Sequence, residues 1–136
     1  MSELFAPNQQ VQATMYYYQC HEVQRGDIVL IKKENENQIL IKYVALIPGD
    51  HFYIQGFQNG FHLIVNNNIL LTPKGRPYLF NKASERVWSY FQKNNSEIVG
   101  LNEYFVLGTN FDGSIDSSHF GPVSREEIIG RVLNFK

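Results

Sequence analysis

The hydrophobic positions of the chain fall into short runs that are separated by turns rich in Asn, Gly and Pro. The longest run covers residues 39–47, which are apolar or aromatic except for one lysine, and Pro48-Gly49-Asp50 ends it. Its length and its β-branched residues predict a strand that is buried on both faces.

The lysine of this run lies among apolar neighbours. Side chains alternate along a strand, so Leu40, Lys42 and Val44 share one face. In one interpretation Lys42 lies near the strand end and extends its amine to water. In the other, burial disfavours the charged form and leaves a neutral amine, which is a usable general base. The residues alone leave both interpretations open.

The remaining pattern also favours β structure. Residues 28–32 and 38–47 flank a charged turn and predict a hairpin. Further short hydrophobic runs are separated by Asn- and Gly-rich turns and predict strands at residues 51–55, 61–65, 69–71 and 103–107. The spacing of these strands predicts an all-β sandwich or barrel. An aromatic stretch at residues 16–18 is predicted to be extended.

One segment has the pattern of a helix. In residues 81–93, Val87, Trp88 and Phe91 follow helical spacing, and Asn81 is a suitable N-cap. We expect this short helix to be inserted into the β core. Residues 108–121 are predicted to form a long loop, and residues 125–132 a last strand or short helix.

Composition limits the classes of function. The 136 residues are 43% hydrophobic and 18% charged, which predicts one folded domain over residues 1–136. A net charge of −1 gives no electrostatic case for nucleic acid. The single cysteine, Cys20, excludes an internal disulfide and a cysteine-based zinc cluster, and no cofactor or metal site is predicted. No apolar run is long enough to cross a bilayer, so we expect a soluble chain or a soluble part of a longer anchored protein.

Three segments, in order, carry a resemblance to a known family. They are Gly26-Asp27-Ile28-Val29, the nine residues from Lys42 to Asp50, and residues 104–123 followed by Ile129-Gly130. Together they resemble the motifs of type I signal peptidases, the serine–lysine leader peptidases.

The resemblance implies a fold, a place and a partner. The fold would be all-β, with two mainly antiparallel sheets. The domain would lie on the outer, periplasmic or extracellular, face of the cytoplasmic membrane, held there by an N-terminal anchor that is absent from this chain. Its partner would be the leader peptide of an exported protein, and it would need no cofactor.

The resemblance also implies roles for particular residues. Lys42 would be the general base, and Ser114 would orient its amine by a hydrogen bond. Asp116 would support the loop that presents Ser114. Ile41 would line the pocket for the small residue before the cleaved bond. The oxyanion would be held by the nucleophile's own N–H and by a side chain two residues earlier, which is Gln12 if the nucleophile is Thr14.

The chain departs from the family at the nucleophile. The family has Ser-Met-x-Pro-Thr, whereas this chain has Thr14-Met15-Tyr16-Tyr17-Tyr18 and a longer gap to Gly26. This looser motif resembles the branch specialised for conjugative transfer and pilin processing. Three interpretations stay open: Thr14 attacks, a serine was replaced at Ala13, or the chain is a natural pseudoenzyme.

A second departure lies in the last motif. Ser118 stands where an arginine usually pairs with the equivalent of Asp116, and Thr109 stands where an aspartate is usual. Asp27 and Asp50 match the family pattern, but we interpret them as turn residues.

Two functions therefore remain. The first is a membrane-associated endopeptidase that removes leader peptides by a Ser- or Thr-lysine dyad. The second is an inactive protein of the same fold that binds a pilin or another export substrate during assembly. A small-ligand β-barrel would explain none of the three motifs. We predict a depressed pKa for Lys42, Ser114 within hydrogen-bond reach of its amine, and the Ala13–Thr14 backbone beside it.

Overall fold

The computed structural model describes residues 12–33, 37–94, 96–108 and 115–134. The strands are β1 (Gln12–Met15), β2 (Ile28–Lys32), β3 (Ile39–Leu46), β4 (Phe52–Phe57), β5 (Gly60–Val65), β6 (Asn68–Ile69), β7 (Phe80–Asn81), β8 (Phe105–Leu107) and β9 (Ile128–Asn134). The helices are α1 (Glu85–Asn94) and the short α2 (Ser117–Phe120). Turns of 3₁₀ helix cover Tyr17–Gln19, Lys82–Ser84 and Arg125–Glu127.

The first sheet holds the longest hydrophobic run near its middle. Its strand order is β1-β9-β2-β3-β8, and every neighbouring pair is antiparallel. The β2–β3 hairpin places Val29 opposite Lys42. β8 adds to the other side of β3, with Leu107 opposite Tyr43. The predicted hairpin is therefore confirmed, and β3 is an interior strand along its second half.

The second sheet is built from tight hairpins. Its order is β4-β5-β6, and β7 also pairs with β5. Between β5 and β6, Asn66 and Asn67 both have positive φ, at 50° and 70°. Two central residues of positive φ give the turn type that matches the twist of the flanking strands, and Asn tolerates this conformation better than most residues.

Two hydrophobic clusters cover the two faces of β3. Tyr43 and Ala45 belong to the main core, whereas Val44 belongs to the second cluster. The main core also contains side chains from the second sheet and from α1: Phe52, Leu63, Phe80 and Trp88. The second cluster includes Val29, Ile31, Val106 and Val123. The prediction that β3 is buried on both faces is confirmed for Tyr43 to Leu46, whereas Ile39 at its start is 49% exposed.

Asn81 is an N-cap, as predicted, but it caps a 3₁₀ turn, and α1 itself begins at Glu85. The Asn81 side chain accepts the Ser84 backbone N–H at 3.3 Å, and the 3₁₀ turn that follows leads into α1. Trp88 is fully buried, and its ring packs against Phe105 at 4.9 Å between centroids. The helix therefore covers one end of the main core, and an all-β fold with one inserted helix is confirmed.

Two local predictions are wrong. The stretch at residues 16–18 is not extended, because the chain turns at Tyr16 (φ 60°) into a 3₁₀ helix. The Tyr18 hydroxyl reaches Asp27 from this turn and donates to its carboxylate at 2.8 Å. The predicted loop 108–121 contains α2, because Asp116 caps a new helix by accepting the Ser118 N–H. In the last segment, a 3₁₀ turn precedes strand β9.

Candidate active site

Lys42 lies inside the protein rather than at its surface. It is 7% exposed, and its cross-strand partner Val29 and its same-face neighbour Val44 are both fully buried. Burial lowers the pKa of Lys42 from its ordinary value, because a charged ammonium loses its hydration, and the nearby Asp116 carboxylate opposes that shift. The shift has the direction that the sequence predicts, and the low exposure shows that the side chain does not extend freely into water.

Asp116 is a buried carboxylate that joins two parts of the chain. Its Oδ1 accepts the Ser118 N–H at 2.9 Å, and its Oδ2 accepts the Gly108 N–H at 3.1 Å. Gly108 follows Leu107, the residue opposite Tyr43 in the sheet, so a continuation of this register brings Gly108 level with Lys42. Asp116 therefore bridges the two described ends of the segment 109–114. Ser114 lies outside the described residues, and its predicted contact with Lys42 stays a prediction.

Other groups surround Asp116 at the place of the missing arginine. The Ser118 hydroxyl accepts a hydrogen bond from the Trp88 indole N–H at 2.9 Å. The exposed His119 imidazole lies 3.8 Å from Asp116 Oδ1, measured from its Nδ1 atom. The carboxylate is thus held by backbone N–H groups and by a capped helix in place of a guanidinium.

Thr14 and Lys42 lie in one row across the first sheet. Thr14 pairs with Arg131 of β9. Arg131 pairs with Val29 of β2, and Val29 pairs with Lys42. Directly paired residues of antiparallel strands point to the same face, so Thr14 and Lys42 share a face of the sheet. Ala13 pairs with Val132, a main-core residue, and therefore points to the opposite face.

The prediction that the Ala13–Thr14 backbone runs beside Lys42 is wrong. β9 pairs with both β1 and β2 and takes the place expected for β1. Three strand spacings of about 4.8 Å separate the backbones of β1 and β3, which is roughly 14 Å along the sheet.

The two predicted substrate-contacting residues take different positions. Ile41 is half-buried and packs against the main core, on the face opposite Lys42. Gln12 is exposed at the start of β1, and a β-bulge separates it from Ala13. The bulge interrupts the alternation that would otherwise place Gln12 on the face of Thr14.

Part of β3 is open to an added strand. β8 pairs with β3 only at Tyr43, Val44 and Leu46. In the part of the chain that the structure covers, no strand pairs with residues 39–41 on the side away from β2. An extended peptide could therefore hydrogen-bond to this edge, immediately before Lys42.

Asp50 has the turn role that the sequence predicted. Its Oδ2 accepts the Ile47 N–H at 2.9 Å, which closes the Pro48-Gly49 turn. Its Oδ1 accepts the Asn66 side-chain amide at 3.0 Å and also bonds to the Arg25 guanidinium. These bonds hold the end of β3 against the β5–β6 turn.

A partly buried network around Asp27 was not predicted from the sequence. Its carboxylate accepts the Tyr18 hydroxyl and the Gln24 N–H, and Arg131 Nε lies 3.7 Å away. Arg131 also lies over the Tyr17 ring, 5.1 Å from its centroid. Burial raises the pKa of Tyr18 far above its ordinary value, and the bond to Asp27 adds to this shift. The aromatic run just ahead of Gly26-Asp27 was the signal that could have revealed this anchor.

The structure describes residues 12–33, 37–94, 96–108 and 115–134. They contain no group of three His, Cys, Asp or Glu side chains that could hold a metal ion. They also contain no helix with the length and apolar character needed to span a bilayer.

Comparison with protein families gives a match along nearly the whole chain. A family model described as "Signal peptidase, peptidase S26" matches residues 1–135. The chain is 28% identical to signal peptidase I V of Bacillus subtilis (strain 168) over 135 residues, covering 97% of this chain and 77% of that protein. It is 31% identical to signal peptidase I of Bacillus caldolyticus over 120 residues, covering 85% of this chain and 62% of that protein.

One further sequence relative and one solved structure also resemble this chain. Signal peptidase I of Buchnera aphidicola subsp. Baizongia pistaciae (strain Bp) is 31% identical over 122 residues, or 76% of this chain, but the match covers only 39% of that longer protein. Among solved structures, a signal peptidase I from Enterococcus faecalis V583 superposes with a TM-score of 0.50 at 22% identity. That match covers 84% of this chain and 98% of the other. This likeness supports the fold.

Proposed function

Because the chain belongs to the signal peptidase family, peptidase S26, we propose that it is the catalytic domain of an endopeptidase that cleaves leader peptides from exported proteins. The observation that carries the proposal is the buried Lys42 amine, whose pKa is lowered by burial beside the fixed Asp116 carboxylate. A desolvated lysine of this kind is suited to accept a proton near neutral pH.

The nucleophile of the proposed reaction is the Thr14 hydroxyl. Thr14 shares the face of the sheet with Lys42, and Ala13 does not. Neutral Lys42 removes the hydroxyl proton while the Thr14 oxygen attacks the scissile carbonyl. Lys42 then passes this proton to the leaving amine, and water hydrolyses the resulting ester. The Thr14 N–H and the Gln12 side chain stabilise the oxyanion, and Ser114 orients the amine.

This reaction requires the hydroxyl within about 3 Å of the amine. β1 is an edge strand that pairs with β9 alone among the described strands. Its departure would keep the pairings of β9, β2, β3 and β8, but it would have to release the hydrogen bond from the Tyr16 N–H to the Ile129 carbonyl. The proposal therefore includes an approach of β1 to β3 when substrate binds.

The leader peptide takes the open edge of β3. It lies extended beside residues 39–41, where main-chain hydrogen bonds give affinity. Ile41 contacts the small residue that precedes the cleaved bond. The domain works at the outer face of the cytoplasmic membrane, where an N-terminal anchor holds it at the membrane surface, and pilins are among the proposed substrates.

The test is cleavage of a synthetic leader peptide with small residues before the scissile bond, in detergent micelles. We expect the wild-type chain to cleave at one bond, with the products identified by mass spectrometry. Lys42→Met keeps an unbranched side chain but lacks a base, so it should lose activity by at least about 10²-fold. Equal rates for the wild type and Lys42→Met would overturn the proposal.

The second candidate function is binding without cleavage. It is favoured by the two strands between Thr14 and Lys42 and by the absence of the family's serine. The same peptide would then bind, as measured by fluorescence polarisation, and stay intact over hours. Its affinity would fall when Ile41 is replaced by Asp, whereas Leu101→Asp, at a residue that is 95% exposed, would have no effect.

A further inference from the structure

One buried hydrogen bond joins helix α1 to the short helix α2. The indole N–H of Trp88 donates to the Ser118 hydroxyl at 2.9 Å. Trp88 is fully buried, and Ser118 is 9% exposed. A buried N–H donor without a partner is costly, so this bond fixes the distance between the two helices. Trp88 is the single tryptophan of the chain.

Two more hydrogen bonds continue from Ser118 through Asp116 to Gly108, at the end of β8. The Ser118 backbone N–H donates to Asp116 Oδ1 at 2.9 Å, and the Gly108 N–H donates to Asp116 Oδ2 at 3.1 Å. Gly108 follows Leu107, which is paired with Tyr43, the neighbour of Lys42. A path of three hydrogen bonds therefore runs from α1 to Gly108, directly after the β8 residue that pairs with the neighbour of Lys42.

A second contact holds the other end of α2 against α1. Gly121 has φ +81°, and a Cβ atom placed on it would lie 2.9 Å from two ring carbons of Phe91. The Phe91 ring thus rests directly on the Gly121 backbone. Trp88 and Phe91 are three residues apart and lie on one side of α1, so α1 contacts α2 at both Ser118 and Gly121.

We propose that Trp88 and Ser118 are positioning residues for the Lys42–Asp116 pair. Their hydrogen bond fixes the first turn of α2. The Asp116 carboxylate, which caps this turn, is thereby held in position toward Lys42. This role rests on the proposed peptidase function. It explains how the chain functions with Ser118 where an arginine usually pairs with the aspartate, because the inserted helix supplies the fixed contact instead.

The position of this carboxylate matters for the base. The Asp116 carboxylate interacts electrostatically with Lys42, and the exposed His119 imidazole lies beside Asp116. If Asp116 were displaced, the Lys42 amine would sample several orientations. Proton transfer requires a single productive orientation, so the rate would fall. The peptide would bind along residues 39–41, none of which takes part in the hydrogen bonds that join Trp88, Ser118, Asp116 and Gly108. We therefore expect loss of the hydrogen bond to lower kcat and to leave KM unchanged.

The kinetic test compares variants that remove either half of the bond. Ser118→Ala removes the acceptor, and Trp88→Phe removes the donor but keeps a ring in the core. Each should lower kcat by about tenfold or more with KM unchanged. The double variant should have a kcat no lower than that of the less active single variant, because both changes break the same bond. Ser118→Thr keeps the hydroxyl and should recover most of the activity.

The matched control is Phe80→Leu. The Phe80 ring packs against Trp88 at 5.6 Å between centroids, and it lies in β7, away from α2. This variant loosens the same core but leaves the Trp88–Ser118 bond intact, so kcat should stay within about twofold of the wild type. If Phe80→Leu and Ser118→Ala lower kcat equally, the bond has a merely structural role and the inference fails.

A spectroscopic arm separates this inference from the proposed function. The ε-carbon NMR signal of Lys42 should move in Ser118→Ala and Trp88→Phe, and it should not move in Phe80→Leu. If the wild-type chain cleaves no peptide but the signal moves as expected, the proposed function fails and the positioning role stands. If the signal is the same in all four proteins, the positioning role is overturned whatever the activity.

Discussion

Thr14 and Lys42 point to the same face of the first sheet, although β9 and β2 lie between their strands. Ala13, the neighbouring candidate, points to the opposite face, toward the main core. An alternating strand can present only one of two successive side chains to the base. Of the two positions at which the sequence allows a nucleophile, the arrangement of β1 therefore favours Thr14.

The first prediction compares serine at these two positions. Thr14→Ser removes the β-methyl group that crowds attack, and relief of about 1.4 kcal/mol would raise kcat/KM about tenfold. Ala13→Ser places a hydroxyl on the wrong face and should leave the rate unchanged. Thr14→Ala should abolish cleavage. The rates are measured on one leader peptide with Lys42→Met as the blank, and a gain with Ala13→Ser alone would assign the nucleophile to position 13.

The second prediction concerns pH and the buried lysine. Burial lowers the pKa of Lys42 in the folded state, so the unfolded chain binds more protons between that lowered pKa and about 10.4. The free energy of unfolding should therefore rise with pH across this window, relative to Lys42→Met, which has no charge to bury. Urea titrations of both proteins from pH 6 to pH 10 measure the difference. A constant difference would show that Lys42 titrates normally.

The same shift predicts the pH profile of cleavage. The proposed base is neutral Lys42, so kcat/KM should rise as pH increases through its lowered pKa and then level off. The profile is measured with the wild-type chain, and Thr14→Ser serves as a control, because a change of nucleophile should leave the midpoint of the rise in place.

The third prediction concerns the anchor that holds the segment after β1. Tyr18→Phe removes the hydroxyl that donates to Asp27 and should lower the free energy of unfolding by about 1 to 2 kcal/mol at pH 7. The pKa of Tyr18 is raised in the folded state, so the folded protein binds more protons than the unfolded chain above about pH 10. The wild type should therefore lose part of this advantage as pH rises beyond 10, and the gap between the two proteins should narrow. Tyr16→Phe, at a residue that is 68% exposed, is the control and should change little.

The fourth prediction concerns the contact between α1 and Gly121. Gly121→Ala places a Cβ atom 2.9 Å from the Phe91 ring at a residue with φ +81°, and it should cost about 1 to 3 kcal/mol of stability. Gly56→Ala is the matched change, because a Cβ atom on Gly56 meets no atom within 4 Å. Thermal unfolding of the two variants should show a lowered Tm for Gly121→Ala alone.

The sequence by itself determined the features that depend on neighbouring residues. The apolar run around Lys42, ended by Pro48-Gly49-Asp50, predicted a buried strand, and the structure confirms it for Tyr43–Leu46. The spacing of Val87, Trp88 and Phe91 predicted helix α1, and Asn81 was predicted to be a cap, which it is for the 3₁₀ turn that leads into α1. Alternation, helical periodicity and capping are local, so they can be recognised without knowing what packs against each element.

Only the tertiary structure decided which strands and loops meet. The order β1-β9-β2-β3-β8 joins residues from both ends of the chain, and no local pattern encodes that β9 lies between β1 and β2. Helix α2 was missed for the same reason, because its cap, Asp116, also binds Gly108 and its Ser118 binds Trp88, 30 residues away. Such contacts are selected by the packing of the whole core. The sequence therefore pointed to Lys42 as the proposed base, while the fold determined how far Thr14 lies from it.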